Sequence, residues 1–187
     1  SIHKVRTSGE TVFAHAKPLQ SERYGIAEEV YFDISYSPVI EVDGAVGGVL
    51  CILSEVTDRV RGEQRTMAEH DRLALMFEQA PGFMTLMREP GHVFELTNAA
   101  YQRLIGDRQV IGKSVREALP ELEGQGFYEL LDQVYETGEP YRGRAVKIAL
   151  RKKDGESVEE RILDFVYQPI KADDGRIAAI FVEGTDV

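Results

Sequence analysis

"EERILDFVYQPIKADDG", residues 159–175, is written a second time near the start of the chain as "EEVYFDISYSPVIEVDG", residues 28–44. At a constant offset of 131, Glu28-Glu29, Asp33, Tyr36, Pro38 and Asp43-Gly44 meet Glu159-Glu160, Asp164, Tyr167, Pro169 and Asp174-Gly175 without a gap. The apolar alternation is in phase as well. Phe32, Ile34 and Tyr36 fall on one side of an extended chain, and Leu163, Phe165 and Tyr167 repeat that row. Each copy then reaches a proline, a polar step and Asp-Gly, the signal for a tight hairpin turn. Apolar strands follow, "AVGGVLCIL" and "RIAAIFV". Each copy therefore predicts a long antiparallel hairpin with one apolar face.

Upstream the likeness continues with a two-residue shift, "VRTSGET" (5–11) answering "VYETGEP" (134–140). Both read as a helix stopped at glycine, Gly9 or Gly138, as helices commonly are. A further strand follows, "TVFAHAKPLQ" or "GRAVKIALRK". Three strands with a bare apolar face are not stable alone. For the second copy the cover lies in residues 80–133. "GFMTLMRE" and "HVFELT" read as short strands, and Thr97-Asn98 opens a helix that ends at Gly106. "SVREALPEL" is a short helix broken at Pro120. In "GFYELLDQVYETG", Phe127, Leu130, Leu131 and Val134 share one helical stripe. The order is β-β-α-α-α-β-β-β, an α+β unit whose five-stranded antiparallel sheet carries helices over one face.

The segments "FELTNAAYQRLIG", "VYETGEPYRG" and "DFVYQPIKADDGRIAAIFVEGTDV" resemble the PAS domain family, sensory modules of bacterial signalling proteins. The likeness covers residues 75–187, and only the C-terminal half of such a unit in residues 1–57. The implied organisation is a C-terminal half of a first PAS-like domain at 1–56, a helical linker at 57–80 and a complete second domain at 81–187. Ser1 then falls opposite Leu130, so roughly fifty residues of the first unit are expected ahead of this stretch, which reads as an excerpt of a longer protein. In particular the chain resembles PAS segments found in tandem upstream of sensor histidine kinases. It implies that Glu55 and Thr57, and Asp186 at the matching place, relay signals between sheet and outgoing helix.

The linker, "TDRVRGEQRTMAEHDRLALMFEQA", reads as a helix capped by Thr57 and stopped by Pro81-Gly82. Val60, Met67 and Ala74 recur at heptad spacing, but Gln64 and Asp71 interrupt the second row of a coiled coil. His70-Asp71 resembles a kinase phosphoacceptor pair, yet a sensory module follows it, and a solvated helix face is the better reading.

Composition narrows the function. A formal charge of −10 over 187 residues argues against nucleic acid, whose phosphates would be repelled. No apolar run reaches the roughly 18 residues of a membrane span. The one cysteine, Cys51, sits on a predicted buried strand and excludes an internal disulfide framework. A cytoplasmic location is expected. Arg151-Lys152-Lys153 beside Asp154-Gly155 reads as a basic hairpin tip.

No residue is assigned to catalysis or to a metal. The pairs Glu28-Glu29 and Glu159-Glu160 open strands, where neighbours point to opposite faces and cannot share acid–base work. His3, His15, His70 and His92 show no close pairing in sequence. The resemblance implies haem only through an axial histidine in the helix at 125–137, and a flavin adduct only through a cysteine in the helical region; both are missing. The cofactor stays unassigned, with noncovalent flavin open. The remaining candidate is a small-molecule pocket between sheet and helices, lined by Phe94, Asn98, Tyr101, Leu104, Phe127, Leu131, Val146, Ile148, Phe165, Tyr167 and Ile180. Filling of an ordinary core is the plainer role for each, and helix capping is the plainer role for Asn98. The expected function is a non-catalytic sensory segment acting on a kinase or other output domain, with a second copy of itself and a small ligand as partners. The alternative is a ligand-free dimerisation and interaction module.

Overall fold

A computed structural model describes residues 2–23, 25–151 and 157–187, without the Arg23 side chain. The basic tip expected at 152–155 lies outside the described residues. The chain divides into two compact units, residues 1–71 and 72–187, and the division falls inside the connecting helix.

The first unit opens with helix α1 (Ile2–Ser8), followed by strands β1 (Val12–Arg23), β2 (Ile26–Ile40) and β3 (Val46–Glu55). They form an antiparallel sheet in the order β1-β2-β3. Helix α2 (Thr57–Glu78) follows. The second unit holds β4 (Phe83–Arg88), β5 (Val93–Thr97), α3 (Ala99–Leu104), α4 (Val115–Ala118), a 3-10 turn at Pro120–Leu122, α5 (Phe127–Thr137), β6 (Tyr141–Arg151), β7 (Val158–Lys171) and β8 (Ile177–Asp186). Its five strands lie in the order β5-β4-β8-β7-β6, all neighbours antiparallel. The expected α+β architecture is therefore present. Its core is made of the apolar row Leu163, Phe165 and Tyr167 together with Val182 and Ile180, facing Phe127, Leu131 and Val134 of α5.

The echoed residues make the same local bonds in both sheets. β1 skips register between Ala14 and Lys17 against β2, and β6 does so between Gly143 and Val146 against β7. Inside each bulge an alanine takes a left-handed backbone, Ala16 at φ 47° and Ala145 at φ 49°. Such a conformation is uncommon without glycine. In each case an aspartate of the next strand receives the freed amide: Ala16 N–H donates to Asp33 Oδ1 at 2.7 Å, and Ala145 N–H to Asp164 Oδ1 at 2.6 Å. The bond from Ala16, with His15 and Arg59 nearby, holds the Asp33 carboxyl below its usual range despite some desolvation. A bulge strands one donor, and the repeated aspartate supplies its acceptor.

The turns agree too. Gly44 N–H donates to Glu41 O and Gly175 N–H to Ala172 O, while Asp43 and Asp174 each accept the amide two residues on. At the helix ends, Gly9 N–H reaches Val5 O and Gly138 N–H reaches Val134 O, both at 2.9 Å.

Two details depart from the sequence reading. Thr57 is the first residue of α2 and does not cap it. Its hydroxyl donates to Glu55 Oε1 (2.9 Å) and accepts Tyr31 N–H of β2 (3.0 Å), which ties the helix start to the sheet. Cys51 is exposed rather than buried, on β3, which among the described residues pairs with β2 at the edge of its sheet.

Candidate functional site

Two arrangements in the second unit carry chemistry. The first is a cavity of about 50 Å³ between sheet and helices. Of the expected pocket residues, Tyr101, Leu104, Phe127, Leu131, Ile148, Phe165 and Tyr167 line it. Phe94 and Ile180 are buried in the surrounding core without reaching it. Val146 is only partly buried and packs against the core from β6, opposite Leu163. Phe83, Met87, Ile105, Val115, Leu119, Leu122, Leu150, Leu163 and Val182 complete the lining. Leu150 and Leu163 follow from the same two-residue alternation that marks Ile148 and Phe165; the others depend on tertiary packing.

The wall is aromatic, with its rings tilted against one another. Phe165 and Tyr167 ring centres lie 4.8 Å apart, and Phe127 and Tyr141 each approach Phe165 to 5.9 Å. Two hydroxyls sit in it. Neither the Tyr101 nor the Tyr167 hydroxyl has a hydrogen-bond partner among the described residues. Burial pushes both phenols well above their ordinary range, so both stay protonated.

Asn98, expected among the pocket residues, belongs to the frame and not to the cavity. It is fully buried and caps α3, with Oδ1 accepting the amides of Tyr101 and Met84 at 2.9 Å each. Its Nδ2 donates to Gly82 O (2.9 Å) and to Phe77 O in the last turn of α2 (3.3 Å). One side chain thus joins the end of α2, the first strand of the sheet and the helix bearing Tyr101.

The second arrangement is a polar chain that runs from buried Glu89 and His92 out to the half-exposed Asp132 and Arg116. His92 is 4% exposed, and its Nδ1 bonds the Glu89 carboxylate, whose side chain is wholly buried. Its Nε2 meets Asp132 Oδ1 of α5 at 2.9 Å, and Asp132 Oδ2 accepts from Arg116 at 2.8 Å. Arg116 in turn lies 4.5 Å above the Tyr128 ring, a cation–π contact. Burial alone would push the imidazole down, but the two carboxylates overcome it and hold His92 above its ordinary value. The sequence reading found no close pairing for this histidine. Glu89 is three residues away in a turn, but Asp132 is brought to it only by the fold.

Of the relay residues, Glu55 and Thr57 bond one another, and Asp186 accepts from Arg161 at 2.6 Å. No group of three metal-ligating side chains occurs among the described residues.

The strand order and the helical cover coincide with a family match over residues 77–187, to the family described as PAS fold. The chain belongs to the PAS family. Solved structures similar to it include VqmA bound to DPO, at 25% identity and a TM-score of 0.47 over 62% of this chain and 57% of that one. An RNA-binding light-oxygen-voltage receptor matches 99% of this chain and 80% of its own, at 12% identity and a TM-score of 0.50. A sensory box sensor histidine kinase from Vibrio cholerae matches at 18% identity and 0.45, covering 67% of this PAS chain and 98% of its own. The present chain spans little more than half of VqmA, and the likenesses are ones of fold. No helix among the described residues is long and apolar enough to cross a membrane.

Proposed function

We propose that this PAS chain is a sensory relay segment of a bacterial signalling protein, in which the second unit converts occupancy of its core into movement of α2. The observation that carries the reading is the Asn98 junction. Tyr101 presents an unpartnered hydroxyl at the cavity, and its backbone amide is bonded to the residue that holds the end of α2. A shift of α3 by a fraction of an ångström is transmitted through one side chain. At about 50 Å³ the cavity suits an occupant of a few heavy atoms, since a water takes roughly 30 Å³ in the liquid. A larger ligand must spread the helices, and that spreading would itself be the signal.

The first sheet is read as the C-terminal half of a first PAS-like unit, supported by its matching bulge, turn and helix-end bonds. Exposed Met67, Leu73 and Met76 on α2 support pairing with a second copy. The proposed output is a histidine kinase or comparable domain elsewhere in the protein, with this segment itself non-catalytic and cytoplasmic. The charge of −10 favours protein and small-molecule partners over nucleic acid. A ligand-free dimerisation module is the second reading, and the small size of the cavity favours it.

Tyr101→Phe and Tyr167→Phe separate the two. Each is expected to leave stability within about 1 kcal/mol of the parent, because each hydroxyl already lacks a partner. Native mass spectrometry of the parent should show an extra small mass that both variants lose. A clean parent mass leaves the ligand-free reading; a loss well above 1 kcal/mol would mean the hydroxyls are structural.

A further inference from the structure

We propose that His92 is a proton-operated latch, which fastens α5 to the β4–β5 turn while its imidazolium bridges Glu89 and Asp132, and releases α5 when the ring gives up one proton. The proton is then a second input to the unit read above as a sensor. The latch rests on that reading for the use made of the movement, and on the local geometry for the movement itself.

One end of the contact is fixed. The His92 carbonyl accepts the Val115 amide of α4 at 3.0 Å, and the His92 amide donates to Glu89 Oε2 at 3.3 Å. Nδ1 meets the other oxygen of Glu89, whose side chain is wholly buried. The far end is loose. The Asp132 side chain is 47% exposed, and its Oδ2 has Arg116 as a partner of its own. Loss of a proton leaves the ring with one N–H and one lone pair. A lone pair set against Glu89 would strand a buried carboxylate, which is the costlier choice. The remaining hydrogen therefore stays on Nδ1, and the Nε2 lone pair faces Asp132 Oδ1. Those two acceptors repel, and Asp132 turns to Arg116 and to solvent. The half-exposed Asp132 also gives the departing Nε2 proton a way to water without unfolding, which a sealed ion pair would lack.

The charged and titratable groups facing the ring are Glu89 from the turn, Asp132 and Tyr135 from α5, and Arg116 from α4 through Asp132. Burial opposes the charged ring, but the two carboxylates outweigh it, and the folded imidazole titrates above its ordinary value. The latch is thus closed below about pH 6.5 and opens as pH rises through the higher folded value. What it releases bears on the cavity. Leu131, next to Asp132, and Phe127, one turn earlier on α5, both line it. Proton loss and a ligand that spreads the helices therefore push the unit the same way.

The test uses the 187-residue chain with no ligand added. Nitrogen-15 spectra of the imidazole should place the remaining hydrogen on Nδ1 above the titration. The amides of Leu131–Val134, corrected for intrinsic rate, should exchange about 10- to 100-fold faster near pH 9 than near pH 6, the range for losing one hydrogen bond to a charged group. Amides of β2, in the other unit, are the reference and should show no such change. Asp132→Asn removes the repelled charge from a half-exposed position, and should abolish the pH difference with α5 still formed. A hydrogen on Nε2 would overturn the latch, as would an α5 response no larger than that of β2. So would a pH difference that survives in Asp132→Asn. No arm involves Tyr101, Tyr167 or a bound molecule, so the latch and the ligand reading can fail separately.

Discussion

His92→Ala is expected to destabilise the second unit by about 3–5 kcal/mol, the range for removing one partner from a buried ion pair. The Glu89 carboxylate has no exposed surface, and it also accepts the His92 amide at 3.3 Å. Without the imidazole that carboxylate is left buried without its ionic partner. Both ring nitrogens of His92 face carboxylate oxygens, so the neutral imidazole would set a lone pair against one of them. The protonated form is favoured in the fold, and the pKa is raised. The sign follows from linkage. A raised histidine contributes stability that is fully present below its ordinary value near 6.5 and is lost as pH rises through the higher folded value. Charged or titratable groups around this histidine are Glu89 from the β4–β5 turn, Asp132 and Tyr135 from α5, and Arg116 from α4 through Asp132. Urea titrations at several pH values, with the amides of Leu163 and Ile180 as reporters, should show stability falling above pH 6.5 in the parent and a flatter profile in His92→Gln. Replacing Glu89 and His92 together by leucine should cost less than His92→Ala alone, because no charge is then left buried. A loss below about 1 kcal/mol for His92→Ala, with a flat pH profile, would show the chain of contacts to be inert.

That residue also marks where sequence stops being informative. The fold could be read from the echo at 28–44 and 159–175 because alternation and Asp-Gly turns are local, and local signals survive in one dimension. The repeated aspartate was visible as a repeat, but its purpose was not. Asp164 serves an amide 19 residues away, across a bulge that exists only once β6 and β7 are in register. Tyr101 and Tyr167 could be placed on the inner face from spacing, whereas the missing partners of their hydroxyls depend on how every neighbour packs. Cys51 differs for a related reason: an apolar strand reads as buried whether or not anything packs on its face. His92 in the β4–β5 turn and Asp132 on α5 stand 40 residues apart, and neither local signal refers to the other.

Asn98→Ala is the other substitution with a large expected effect, a loss of about 3 kcal/mol. Losing a helix cap costs typically about 1 kcal/mol. Here the same oxygen also serves Met84 N–H, so a second buried donor is left unmet at roughly 1–3 kcal/mol. Asn98→Asp divides the roles. The carboxylate keeps both acceptor bonds, to Tyr101 and Met84, but cannot donate to Phe77 O or Gly82 O. The sheet should then stay folded while the end of α2 loosens. Faster exchange of the Gln79 and Ala80 amides, which close that helix on Leu75 O and Phe77 O, would report it, with Leu163 and Ile180 unchanged. The relay reading needs this separation, since it assigns the donor half of the amide to passing movement from α3 to α2. If Asn98→Asp leaves Gln79 and Ala80 as protected as in the parent, the last turn of α2 is held by other contacts, and a signal from the cavity has to leave the domain by another route.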